Sequence, residues 1–122
     1  MPHLTIEYSA NLADVASIPE LLGAVHRTAC ESGVFEIPAI RTRAVGRELA
    51  LVGDGNPANG FVLIIVRMKS GRPVAVQEQL AQSLLDAASR CLAAAFERRS
   101  VILNVEIHDI PSLNLRRRSS TQ

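Results

Sequence analysis

The chain has 122 residues, enough for one domain with a core of its own. Hydrophobic residues make up 48% and charged residues 20%, which excludes a disordered or low-complexity polypeptide. Thirteen Lys and Arg against twelve Asp and Glu leave +1, too balanced for a dedicated binder of nucleic acid or of a membrane surface.

The segment from His3 to Tyr8 alternates. Leu4, Ile6 and Tyr8 fall on one face and His3, Thr5 and Glu7 on the other, as in a half-buried strand. The same polar residues interrupt any signal-peptide pattern. Ser17-Ile-Pro-Glu20 reads as a capping box, followed by apolar residues at 18, 21, 22, 25 and 29 and a stop at Gly33. Ala39 to Arg47 is the second predicted strand, turning back through Glu48 to Val52 before a loop over 54–60. Phe61 to Met68 is unbroken apolar β-former, the pattern of a central strand covered on both faces. Its longest apolar run, Phe61 to Val66, is too short to cross a bilayer. A long helix is predicted from Pro73 to about Arg98, then a strand from Val101 to Ile107. The chain from Leu115 to Gln122 reads as a frayed tail.

The order is strand, helix, strand, given twice. It predicts a single domain over 1–115 made of pseudo-repeats at about 1–55 and 60–112, with a flexible basic tail at 116–122. The expected fold is α+β, a four-stranded sheet with two helices on one face. Because the Phe61 strand is apolar on both faces, the open face calls for another subunit. Cys30 and Cys91 make no disulfide framework, and a reducing cytoplasm is the simplest setting.

Three places could carry chemistry. The first is Pro2, which becomes a secondary amine if the initiator Met is removed. By strand parity it shares the apolar face of Leu4 and Ile6, where desolvation disfavours the protonated form. The plain alternative is an inert proline after Met. The second is Arg41-Thr-Arg43, whose guanidiniums share one face of a strand with Arg47 in phase. Their planar forks suit carboxylates; the alternative is a solvated face with ion pairs to Glu36 or Glu48. The third is Gly71-Arg72-Pro73, a cation at the start of a helix, where free amides and the dipole favour anions. Together they describe a site for a small polycarboxylate whose proton is to be moved.

Other polar residues carry less. His3, His26 and His108 lack metal-ligand spacing, so no metal is expected. Glu7 and Glu106 would form a carboxylate pair only if their strands were neighbours. Arg116-Arg-Arg118 reads as solvated tail, and aromatic residues, at 3% with no Trp, are too few for a nucleic-acid stacking platform.

Met-Pro-His-Leu-Thr-Ile-Glu-Tyr-Ser at the start, Gly-Val-Phe35, Ala39-Ile-Arg-Thr-Arg43, Ser-Gly-Arg72, Val105-Glu-Ile107 and Ser-Leu-Asn114 together resemble the 5-carboxymethyl-2-hydroxymuconate isomerases of the tautomerase superfamily. The resemblance runs along nearly the whole chain. It implies a duplicated β-α-β unit with a mixed sheet, a homotrimer, and an enzyme without cofactor. The reaction it implies turns a 2-hydroxymuconate-type dienol into its 2-oxo isomer during bacterial breakdown of homoprotocatechuate. Carried over residue by residue, Pro2 moves the proton, Arg41 and Arg43 hold carboxylate and dienolate oxygens, and Arg72 binds a further carboxylate. The segment from Arg47 to Gly60 departs from the family pattern, which leaves side-chain preference open. Two other readings remain: a superfamily member using Pro2 for dehalogenation or hydration, and a trimeric ligand-binding module without activity.

Overall fold

A computed structural model describes residues 1–120. Strand β1 (His3–Ser9) alternates half-buried and buried residues from His3 to Glu7, and Pro2 just before it is buried in phase with Leu4 and Ile6. A short 3-10 turn leads to helix α1 (Ile18–Glu31), where Ser17 Oγ accepts from the Glu20 amide at 3.3 Å. That is one half of the expected capping box. Gly33, at φ 72°, turns the chain out of the helix as only glycine does cheaply. Strand β2 (Arg41–Arg47) follows, then β3 (Gly60–Lys69). The expected return strand through Glu48 to Val52 is absent, and that stretch is loop.

The long helix is divided into α2 (Val74–Cys91) and α3 (Ala93–Arg98). Hydrogen bonds continue across the break, from Leu92 N to Ala88 O and from Phe96 N to Leu92 O. It is a bend that keeps Leu92 and Ala95 buried, and no Pro or Gly announces it in the sequence. Strand β4 (Val101–Ile110) runs three residues beyond its expected end.

The sheet order is β2-β1-β3-β4, with β1–β2 and β3–β4 parallel and β1–β3 antiparallel. Each β-α-β half therefore supplies one parallel pair, and the halves meet at the centre with Ile6 opposite Ile64. The mixed, four-stranded α+β architecture follows the expected one. Leu4, Ile6, Val62, Ile64 and Val66 join Leu21, Val25, Leu80 and Leu84 in one core on the helix side.

Strand β3 alternates instead of being buried throughout. Val62, Ile64, Val66 and Met68 are buried, whereas Phe61, Leu63 and Ile65 on the other face are half-buried and Ile102 beside them is exposed. The apolar run thus reflects two different environments, the second outside the core of this chain. Among the described residues no helix is long and apolar enough to cross a membrane.

Candidate active site

Topology gathers distant residues at one edge. The first residues of β1 and β2 and the last of β3 and β4 lie side by side, as the register His3–Arg41, His3–Arg67 and Arg67–His108 records. The amino terminus, the Gly71-Arg72 turn and the chain leaving β4 all meet there.

With Met1 in place, the free amine is its α-amino group, which donates to Ala39 O at 3.4 Å. The Pro2 carbonyl accepts from the Arg41 amide at 3.1 Å, fixing β1 to β2 next to that amine. Burial lowers the Met1 pKa below its ordinary value, and the charges of Arg41 and Arg117 lower it further. Removal of Met1 would move the amine one residue inward, about 3.8 Å along the chain, onto the buried Pro2.

Two adjoining cavities flank the terminus. One, of about 640 Å³, is walled by Met1, Phe35, Ala39, Lys69, Arg72, Leu115 and Arg117 among others. The other, of about 270 Å³, is walled by Met1, His3, Arg41, Leu115 and Arg117 among others. Basic groups dominate both, so an anionic ligand fits and a cationic one does not.

Each predicted arginine has a distinct placement. Arg41 turns its guanidinium back onto the Pro38 and Ala39 carbonyls, at 3.1 and 2.6 Å, and stays beside the amine. Arg72 donates to Lys69 O at 2.8 Å and Val34 O at 3.2 Å and lies 5.2 Å over the Phe35 ring. Gly71, at φ 120°, makes the turn that aims it there. Arg43 lies on the open sheet face instead, donating to His3 Nδ1 at 3.0 Å, and walls neither cavity. Since Arg only donates, His3 Nδ1 accepts and His3 is neutral. Burial, Arg43 and the terminal amine all lower its pKa. Arg47 pairs with Glu7 at 2.7 Å, a partner other than the anticipated Glu36 or Glu48.

The possible Glu7–Glu106 pair does not form. Strand β3 separates β1 from β4, and Glu106 pairs with His108. No three His, Cys, Asp or Glu side chains gather as metal donors among the described residues. Phe35, Lys69, Leu115 and Arg117 were not given roles by sequence reasoning. Phe35 had a signal, an aromatic residue just after a helix-ending glycine, and Arg117 lay within the Arg116-Arg-Arg118 run that reads as solvated tail. At the opposite end of the sheet a cavity of about 270 Å³ includes Ser9, Asn11, Arg47 and Asn59. There β3 begins at Gly60, inside the chain, so that end can offer no terminal amine.

Two β-α-β halves sharing one four-stranded sheet, with a partly buried amino terminus beside Arg41, are the arrangement that the resemblance to the tautomerase superfamily implied. The chain belongs to the 5-carboxymethyl-2-hydroxymuconate isomerase family, whose sequence model matches residues 2–120. It is 28% identical over 117 residues to the 5-carboxymethyl-2-hydroxymuconate Delta-isomerase of Escherichia coli, covering 95% of this chain and 93% of that protein. The crystal structure of a 5-carboxymethyl-2-hydroxymuconate isomerase from Deinococcus radiodurans R1 is similar with a TM-score of 0.90 and 27% identity, covering 98% of this chain and 90% of that one. A fused 4-OT described as a symmetric trimer shares the fold at a TM-score of 0.68 and 20% identity, covering 93% and 89%.

Proposed function

We propose that this protein is an isomerase that converts a 2-hydroxymuconate-type dienol, 5-carboxymethyl-2-hydroxymuconate first among them, to its 2-oxo isomer. The observation that carries the reading is the amino terminus, held partly desolvated between Arg41 and Arg117 at the mouths of two basic cavities. With Met1 removed, the Pro2 nitrogen takes the proton of the 2-hydroxyl as its lone pair becomes the new N–H bond. The O–H electrons form the 2-oxo double bond, the adjacent double bonds shift along the chain, and Pro2 returns the proton to a terminal carbon of the conjugated system. No atom is gained or lost, and no cofactor enters.

Arg41 and Arg72 hold carboxylates and the negative charge that gathers on the dienolate oxygen. A positioned base contributes roughly 10²–10⁴-fold, and fixed donors supply much of the remainder. Arg43 reaches substrate only by leaving His3, so its part in carboxylate binding is the weakest of the four assignments. The half-buried Phe61, Leu63 and Ile65 support a homotrimer in which another copy covers the open face. Two unpaired thiols agree with a cytoplasmic enzyme.

The deciding experiment is an ultraviolet assay of Met1-free protein on a panel of 2-hydroxydienoates. Ketonisation of the carboxymethyl substrate, lowered in Pro2→Ala, is expected. Full turnover in protein shown by mass spectrometry to retain Met1 would overturn the role of the amine, and inertness toward the whole panel would overturn the isomerase reading.

A further inference from the structure

The tail beyond β4 carries a side chain that the mechanism above does not use. The chain turns through Ser112–Asn114, and Leu115, half-buried, settles into the walls of both cavities. Arg116 folds back onto the carbonyls of Leu113 and Leu115, at 2.9 and 2.8 Å. Arg117 then projects where the cavities adjoin, and Met1, Leu115 and Arg117 are the residues common to both walls.

Arg41, Arg43 and Arg72 have donors engaged by carbonyls or by His3. Arg117 has no hydrogen-bond or ion-pair partner among the described residues. A guanidinium at the junction of two basic cavities, with its whole planar fork available, is arranged to receive a carboxylate. The charge count agrees. A dienol with three carboxylates has one left when Arg41 and Arg72 have each taken one.

We infer that Arg117 is a substrate-binding residue that selects for a third carboxylate, the one on the carboxymethyl arm. The inference rests on the isomerase reading for its substrate and on the tail geometry for its residue. It makes the basic tail part of the specificity apparatus of the site.

The test compares Met1-free wild type with Arg117→Gln on 5-carboxymethyl-2-hydroxymuconate and on 2-hydroxymuconate, which lacks the carboxymethyl arm. KM for the first should rise about fivefold, the scale of a partly exposed ion pair, and KM for the second less than twofold. Arg98→Gln removes the same charge from the far helix α3 and should move neither. Calorimetry with tricarballylate, an unreactive tricarboxylate, reads the contact without turnover and should show the same weakening in Arg117→Gln. A KM change equal for both substrates, or unchanged tricarballylate affinity, overturns the assignment. Should wild type ketonise neither dienol, the isomerase reading fails while the tricarballylate comparison still decides Arg117.

Discussion

The Met1 α-amine and the Arg41 guanidinium converge on one acceptor, the Ala39 carbonyl, at 3.4 and 2.6 Å. The shorter bond goes to the permanent cation. Burial disfavours the charged amine most, and the nearby charges of Arg41 and Arg117 add to that penalty, so the amine at this edge is biased toward its neutral form.

Retention of Met1 should abolish base catalysis, because the Pro2 nitrogen is then an amide without basicity. Protein carrying a short extension ahead of Met1, verified by mass spectrometry, is expected to lose roughly 10²–10⁴-fold in kcat on the dienol. Equal rates in extended and Met1-free protein would remove Pro2 from the mechanism.

The pH profile of Met1-free enzyme should rise as the amine loses its proton and level off above its pKa. Burial, Arg41 and Arg117 lower the pKa of the Met1 amine at this edge, and the same surroundings should place the rise below the pKa of a solvent-exposed N-terminal proline. Arg41→Ala removes a cation, makes the ammonium easier to tolerate, and should move the rise to higher pH. Profiles of kcat/KM, with NMR titration of ¹⁵N-labelled proline, measure both.

Folding stability should also respond to pH through His3. Its folded pKa lies below the unfolded 6.5, so the unfolded chain binds the proton more readily. The stability this provides is complete above the unfolded value and is lost as pH falls through the folded one. Urea denaturation at neutral and mildly acidic pH should show that loss in wild type and a smaller one in His3→Gln.

Arg72 serves the fold as well as the site. Its two carbonyl contacts and its position over Phe35 tie the Gly71 turn to the end of α1. Arg72→Ala should cost about 1–3 kcal/mol in denaturation experiments, in addition to raising KM. Arg72→Lys keeps a charge but loses the planar fork and should recover only part of either.

Gly60 is fixed by packing rather than by backbone conformation. A Cβ there would stand 2.6 Å from Leu12 Cδ2 and 3.1 Å from Ser9 Oγ. Leu12 is fully buried and Ser9 Oγ accepts from the Phe61 amide, so neither can yield freely. Gly60→Ala should destabilise the protein by about 1–3 kcal/mol in thermal or urea melts, with the site at the other end of the sheet unaffected.

Local order and periodicity carried much of the fold into the sequence. The alternation around Leu4 and Ile6, the Ser17 cap, the Gly33 stop and the repeated strand-helix-strand order each follow from interactions within a few residues. The bend at Leu92 was not legible, because it depends on where Leu92 and Ala95 find the core and not on any breaker residue. Pro2, Arg41 and Arg72 were visible as candidates because a terminal proline, an Arg-x-Arg strand and a Gly-Arg turn have chemistry of their own. Only the tertiary structure decided their grouping. Parallel pairing within each half and antiparallel pairing between halves bring residues 1, 41, 72 and 117 to one edge, while Arg43, two residues further along β2 on the same face as Arg41, is held by His3 instead. Such pairings span tens of residues, and no pattern confined to a local window records them.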